Sequence, residues 1–178
     1  FVRARAEFLR AQERYIKYTW GYPMPAELDL NLARATWRLN DLPKAEQHIH
    51  QFLKKVPDSS DGLLLLGKIY QAEGKMDLAQ KTYQAIQGGG LASAKAYNNL
   101  GILYIQEHQY EKAENAFNAS IAFYPQIPDA HYNLGKMILN SKKNRALAGN
   151  HLQQALTYNQ NTAMKEEIIR LIKQAQSP

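Results

Sequence analysis

The stretch Ala96-Tyr97-Asn98-Asn99-Leu100-Gly101-Ile102-Leu103-Tyr104 decides how this 178-residue chain folds. Its Leu100-Gly101 pair recurs at a spacing of 34 residues. The other copies are Leu32-Ala33, Leu66-Gly67 and Leu134-Gly135. A helix repeats its faces about every 3.6 residues, so amphipathicity alone does not produce this spacing. A fixed period of this length indicates a repeat architecture.

Other positions repeat in the same phase. Alanine lies twelve residues after the glycine position of the first three copies, at Ala45, Ala79 and Ala113. A large apolar or aromatic residue lies sixteen residues after it, at Ile49, Tyr83 and Phe117. Pro57 and Pro125 close two of the units. The pattern resembles the tetratricopeptide repeat, a helix–turn–helix unit with a W-x-x-L-G-x-x-Y, A-x-x-x-F and P signature. The third copy matches almost throughout, with Tyr97 in place of the tryptophan.

The resemblance implies an all-α fold, a right-handed superhelical α-solenoid of tetratricopeptide helix–turn–helix repeats. The predicted segments are an N-terminal helix or truncated repeat at 1–25, repeats at 26–59, 60–93, 94–127 and 128–162, and a C-terminal capping helix at 163–178. The fourth repeat needs one extra residue between Asn140 and Arg145. The glycines at 88–90 predict that the connection between the second and third repeats is the most flexible one, since glycine has the freest backbone.

Small residues are expected where the two helices of a hairpin cross. They are Gly67, Gly101 and Gly135 on the first helices and Ala79, Ala113 and Ala148 on the second. Small side chains let two helices approach closely, so we expect Gly101 to lie opposite Ala113. The large aromatic residues one turn away should fill the space beside that contact.

Composition excludes several kinds of chemistry. The chain has no cysteine, which excludes disulfides, thiolate metal sites and a cysteine nucleophile. No apolar run approaches the roughly 18 residues that a membrane-spanning helix needs. The formal net charge is +6, but Lys and Arg alternate with Asp and Glu, which favours solvated helix faces over a nucleic-acid-binding patch.

Two further features concern the length of the natural chain and its cellular compartment. Phe1 lies inside a helical pattern, which predicts a fragment or a processed chain. The missing cysteines and the basic balance favour a bacterial extracytoplasmic location, and a cytoplasmic one stays open.

The sequence contains no recognisable catalytic constellation. His48 and His50 are two residues apart, so a helix directs them to different sides. The glycines at 88–90 lack the preceding strand and the Gly-Lys-Ser/Thr ending of a phosphate loop. No serine lies in a G-x-S-x-G elbow. We therefore predict a non-enzymatic protein without a cofactor or a metal site.

The resemblance places the binding surface on the first helices, which line a concave groove. Three positions of each repeat should project into the groove, together with their neighbours: the residue before the leucine, the residue after the glycine and the fourth residue after the glycine. Ile105 holds the last of these positions in the third repeat. The predicted peptide- or partner-binding residues are Asn31, Arg34, Trp37, Arg38, Lys68, Asn99, Ile102, Tyr132, Asn133 and Lys136.

Two features of this set suggest how it binds. An asparagine amide both donates and accepts, so Asn31, Asn99 and Asn133 suit a peptide backbone, although asparagine is also common at this point of the repeat. The basic residues, among them Arg34 and Lys68, suit an acidic partner, while Leu64 and Leu65 interrupt the set with which some family members hold a terminal carboxylate. Trp37 either contacts the partner or packs under the N-terminal helix, against Phe8 or Tyr15.

The resulting prediction is a non-enzymatic protein–protein interaction scaffold that binds a peptide segment or partner protein in its groove. The alternative is a recognition domain of a larger enzyme, such as a membrane enzyme, whose catalytic part lies upstream of residue 1. RNA binding, as in pentatricopeptide arrays, is disfavoured by the 34-residue period. Homo-oligomerisation through an uncapped end stays open.

Overall fold

The computed structural model describes residues 6, 10, 25–142 and 144–176. The predicted N-terminal helix at residues 1–20 lies outside the described residues except for Ala6 and Arg10. Regular secondary structure in the described part is helical throughout. The helices are α1 Ala26–Arg38, α2 Leu42–Lys55, α3 Ser60–Ala72, α4 Met76–Gln84, α5 Gly90–Gln106, α6 Tyr110–Phe123, α7 Pro128–Ser141, α8 Arg145–Tyr158 and α9 Thr162–Gln176. Of these described helices, none has the length and apolar character that crossing a bilayer requires.

Local sequence explains several helix starts. The Gly62 backbone N–H donates to Ser59 Oγ over 3.2 Å at the start of α3. The Leu147 N–H donates to Asn144 Oδ1 over 2.9 Å at the start of α8. Each such cap satisfies a backbone donor that the first turn leaves without a helical partner. Proline occupies the first turn of α2 and of α7, where its missing N–H costs nothing.

The turn inside each hairpin has the same backbone conformation. Asn40, Gly74, His108 and Lys142 follow α1, α3, α5 and α7 with φ of 60°, 75°, 60° and 56°. They are spaced by 34 residues, as the Leu-Gly pairs are. Only glycine takes this left-handed conformation without a side-chain penalty, so the fold imposes it on the other three. Helix α6 starts two residues after His108 and α8 three after Lys142, so the predicted extra residue lies in this last turn.

The chain forms two compact units, Phe1–Ile86 and Gln87–Pro178. In the first unit, α1 pairs with α2 and α3 with α4, α2 packs on α3, and α1 contacts α3. In the second, α5 pairs with α6 and α7 with α8, α6 packs on α7, and α5 contacts α7. Helix α9 packs on α8 and also reaches α7. The first helices of successive hairpins therefore lie side by side within each unit.

The segment around the three glycines differs from the regular repeat. Helix α4 ends at Gln84, and α5 begins at Gly90, four residues before the predicted start of the third repeat. Gly88 and Gly90 have φ of 102° and 71°, which other residues rarely adopt. The expectation that this is the most flexible connection stays a prediction.

In the α3/α4 and α5/α6 hairpins the closest approach to the glycine is made by an aromatic side chain. A Cβ added at Gly101 would lie 2.5 Å from Phe117 Cε1, and one added at Gly67 would overlap the Tyr83 ring. The nearest side chain to Gly101 is therefore Phe117, one turn beyond Ala113 along α6, and the expected contact with Ala113 stays a prediction. A flat ring packs on the bare backbone and needs the space that a methyl group would take.

Two buried polar contacts join helices within hairpins. Asp29 is fully buried, and Lys55 Nζ donates to its Oδ2 over 2.6 Å, which ties α1 to α2. The buried Ser120 Oγ donates to the Ala94 carbonyl oxygen over 2.6 Å, which ties α6 to α5. Each contact gives a partner to a group that would be costly to bury alone, although Asp29 Oδ1 has no hydrogen-bond partner among the described residues.

Candidate functional site

In the first unit the predicted binding residues lie on the adjoining helices α1 and α3. Arg34 Nη2 donates to Asp61 Oδ2 over 3.0 Å, and both side chains are well exposed. Lys68 Nζ lies 5.7 Å from the centroid of the Trp37 ring, within the range of a cation–π contact. Arg34 and Lys68 therefore each have a contact within the chain.

The remaining residues of this patch lie beside it on α1. Asn31 and Trp37 are partly buried, and Arg38 is exposed in the last turn. The suggested partners of Trp37 in the N-terminal helix, Phe8 and Tyr15, lie outside the described residues. Trp37 is therefore partly accessible to a partner.

In the second unit the predicted Asn133 contacts an asparagine of α5, which is Asn98, one residue before the predicted Asn99. Asn133 Nδ2 donates to Asn98 Oδ1 over 2.9 Å, so the bond runs from α7 to Asn98 and not to Asn99. Asn98 is only 6% exposed. The Nδ2 of Asn99 is buried without a hydrogen-bond partner among the described residues. A buried donor without a partner is rare in folded proteins and needs an explanation.

Tyr132 and Lys136 contact a carboxylate of the last helix. The Tyr132 hydroxyl donates to Glu167 Oε1 over 2.7 Å. Lys136 Nζ donates to the same oxygen over 3.1 Å and to the Tyr132 hydroxyl over 2.9 Å. The bonds from Tyr132 and Lys136 lower the pKa of Glu167, and those to Tyr132 and Glu167 raise the pKa of Lys136. Glu167 was missed in the sequence because it lies on the predicted cap.

A cavity of about 680 Å³ opens in the second unit. It lies at the turn ends of the α5/α6 and α7/α8 hairpins, since its walls come from the last turns of α5 and α7 and the first turns of α6 and α8. Its volume falls within the roughly 300–1,000 Å³ of ligand pockets. It is lined by Ile102, Ile105, Gln106, Tyr110, Glu111, Glu114, Asn133, Lys136, Met137, Ile138, Asn140, Ser141, Asn144 and Leu147.

Three of the predicted binding residues, Ile102, Asn133 and Lys136, line this cavity. Ile105 was also expected to face the groove, but Glu111, Glu114 and Leu147 were missed, because they lie on second helices, which the repeat pattern assigns to packing. No repeated motif marks them, so the sequence carries no signal by which they could have been found.

The two histidines of α7 and α8 form a pair in which His131 is buried and His151 is partly buried. His131 Nε2 donates to the Pro125 carbonyl oxygen over 3.0 Å, because a carbonyl only accepts. Neutral His131 therefore accepts at Nδ1, and His151 Nδ1 donates to it over 3.1 Å. Burial lowers the pKa of both, and the charge of His131 lowers that of His151 further. Within the described ranges no group of three or more potential metal ligands is found.

Family comparison agrees with these hairpins. One tetratricopeptide-repeat model matches residues 94–127, and another matches 1–60 and 30–96, which together cover more than half of the chain. The chain belongs to the tetratricopeptide repeat family. Proteins of this family are in general non-enzymatic scaffolds that bind proteins or peptides, and the chain is therefore a protein–protein interaction scaffold. Comparison with curated protein sequences found no significant match.

Solved structures share the fold at low sequence identity. BtubC from P. vanneervenii aligns over 97% of this chain and 82% of its own, with a TM-score of 0.75 and 18% identity. A chain of the APC/C hetero-tetramer Cut9–Hcn1 aligns over 97% of this chain and 34% of its own, with a TM-score of 0.72 and 21% identity. MamA from Desulfovibrio magneticus RS-1 aligns over 86% of this chain and 85% of its own, with a TM-score of 0.65 and 21% identity. Identities this low establish the all-α repeat fold alone.

Proposed function

We propose that the chain binds an extended segment of a partner protein along the asparagine-bearing face of its first helices. In the second unit this face is shared by α5 and α7 and carries Asn98, Asn99, Ile102 and Asn133. The observation that carries the proposal is the buried Asn99 Nδ2, which has no partner in the described part of the chain. Because Nδ2 is buried in the chain alone, the Asn99 side chain would turn toward the groove to donate to a carbonyl oxygen of a bound peptide.

The energetics favour such a role over a purely structural one. Leaving a buried donor without a partner costs about 1–3 kcal/mol, which a hydrogen bond to a ligand would recover. An amide bonds to a peptide backbone whatever the peptide sequence is. Ile102 lies one turn further along α5 and offers an apolar contact for a peptide side chain.

In the first unit, the proposed site comprises Asn31, Arg34, Trp37, Arg38 and Lys68. Tryptophan and arginine are enriched among residues that dominate binding energy. The Arg34–Asp61 ion pair is exposed, and such pairs contribute about 0–1 kcal/mol, so a carboxylate of an acidic partner can replace Asp61. Tyr132 and Lys136 would bind a partner carboxylate in place of Glu167. The alternative of a recognition domain in a larger enzyme stays a prediction.

The experiment is a selection of phage-displayed random dodecapeptides on the immobilised protein. The affinities of the recovered peptides are then measured for the wild type and for Asn99→Leu. We expect Asn99→Leu to weaken binding about tenfold, equivalent to about 1.4 kcal/mol, without lowering thermal stability. The control Asn118→Leu, at an exposed position on α6, should bind as the wild type does. Unchanged affinities for Asn99→Leu would refute the proposed role of Asn99.

A further inference from the structure

The cavity at the turn ends of the second unit combines an apolar interior with an acidic side. We infer that it binds an apolar side chain of a partner polypeptide together with an adjacent Lys or Arg, whose charge pairs with Glu111 and Glu114. This inference rests on the proposed function and adds a second, oppositely charged subsite to it.

The first argument concerns position. Glu111 and Glu114 are three residues apart in the first turns of α6, so both side chains lie on one face of the helix. Both line the cavity, and both are exposed. Neither forms an ion pair within the described part of the chain. Their mutual repulsion is relieved when a cation binds between them.

The second argument concerns the cations nearby. Lys136 also lines the cavity, but its ammonium bonds to Glu167 and Tyr132. Lys112, which lies between the two glutamates in sequence, stacks over the Tyr104 ring at 5.7 Å. The cavity-lining charge without a partner is therefore negative, which favours a cationic group and disfavours an acidic peptide or a nucleic-acid phosphate.

The third argument concerns the apolar walls. Ile102, Ile105, Met137 and Ile138 provide an aliphatic interior. Tyr110 and Leu147 remain 55% and 40% exposed at its rim. A Leu, Ile, Met or Phe side chain entering this space would bury apolar surface, at roughly 25 cal/mol for each Å² removed from water. The aliphatic stem of a neighbouring Lys or Arg can pack on the same wall while its charge reaches the glutamates.

The test uses the same dodecapeptide library on the complete chain at low and at moderate salt. Peptides recovered on the wild type should be enriched in Lys or Arg next to a large apolar residue. Glu111→Gln/Glu114→Gln should weaken their binding about tenfold or more and reduce its salt dependence. Asp77→Asn/Glu166→Gln makes the same charge change at exposed positions outside the cavity, and it should leave the affinity unchanged.

A second variant tests the apolar wall without disturbing the helix. Leu147 occupies the third position of α8, where its N–H bonds to the Asn144 cap. Glutamine is favourable at that position, so Leu147→Gln should fold normally and weaken the same peptides at least several-fold.

Three outcomes would overturn the inference. They are enrichment of Asp and Glu in the recovered peptides, wild-type affinity in the Glu111→Gln/Glu114→Gln variant, and a dimer of the chain that Glu111→Gln dissociates. If the peptides lose affinity with Asn99→Leu but not with the cavity variants, the cavity inference fails and the proposed function stands. If no peptide is recovered, both are contradicted.

Discussion

The ring of Phe117 packs directly on the backbone of Gly101. A Cβ at position 101 would lie 2.5 Å from the ring, and Phe117 itself is fully buried. Tyr83 lies in the same way on Gly67. In these two hairpins the glycine of the Leu-Gly pair is therefore required by the aromatic residue sixteen positions later.

We expect Gly101→Ala to lower the free energy of unfolding by about 1–3 kcal/mol, because the added methyl group overpacks a buried contact. Gly101→Leu should destabilise more than any substitution on the binding face. Urea unfolding followed by circular dichroism measures both. Adding Phe117→Leu to Gly101→Ala should recover part of the loss, since the flat ring is the group that clashes.

Gly149 provides the matched control for Gly101. It also lies inside a helix, α8, but a Cβ there would have only Ala175 Cβ nearby, at an ordinary 3.7 Å. Gly149→Ala should leave stability unchanged or raise it by up to about 1 kcal/mol through helix propensity. Equal destabilisation by the two glycine substitutions would contradict the assigned role of the Phe117 ring.

Three buried or partly buried histidines predict a loss of stability in mildly acidic solution. Burial lowers the pKa of His48, His131 and His151 below the ordinary value of 6.5. Above that value both the folded and the unfolded chain hold these residues neutral, so they have no effect. As the pH falls through 6.5, the unfolded chain takes up protons first, and stability decreases. Thermal unfolding between pH 7.5 and 5.5 measures the decrease.

His151→Asn should reduce that decrease, because an amide N–H can donate to His131 without titrating. Its control is His108→Asn, at an exposed turn position, which should show the wild-type dependence on pH. A decrease as large in His151→Asn as in the wild type would remove the His131–His151 pair from the explanation.

Charge reversal in the first unit should abolish the binding of acidic peptides. In Arg34→Glu/Lys68→Glu, the partner's carboxylates meet two negative groups instead of two positive ones. Both side chains lie near the surface, so the free energy of unfolding should change by no more than about 1 kcal/mol. Fluorescence anisotropy of an acidic peptide recovered from the library measures binding. Lys54→Glu/Lys81→Glu, at exposed positions outside the patch, is the control, and equal losses in both variants would contradict a specific site.

Glu167→Gln should increase the affinity for acidic peptides. The substitution removes the charge that Lys136 and Tyr132 now contact, so a partner carboxylate can take its place. Because the Lys136–Glu167 pair is well exposed, stability should fall by less than about 1 kcal/mol. Glu166→Gln changes the neighbouring exposed residue and should have no effect on affinity. A lower affinity in Glu167→Gln would show that Glu167 assists binding.

The helical hairpins could be predicted because a few residues recur in phase. The Leu-Gly pairs and the aromatic residues after them mark both helices of a repeat, which are local features of about 34 residues. The detail of the crossing could not be predicted. The sequence shows that Gly101, Ala113 and Phe117 belong to one contact, but only the relative rotation of α5 and α6 places the ring on the glycine.

The candidate site was predictable only in part, for the same reason. Neighbouring positions on a helix differ by about 100° in direction, so the rotation of α5 about its axis decides that Asn98 rather than Asn99 is the partner of Asn133. Glu167 approaches Lys136 from a helix whose docking the repeat pattern does not specify. Contacts of this kind depend on packing between elements far apart in the chain.

The left-handed turn residues also bear on how such a chain changes its length. His108 and Lys142 hold the same backbone conformation at equivalent points of consecutive hairpins. A duplicate of the segment 109–142, inserted after Lys142, would therefore begin and end in geometry that the chain already uses. Recombination at these turns adds or removes one helix pair without a new loop. The number of repeats can thus change in single steps, while the binding residues on the other units keep their surroundings.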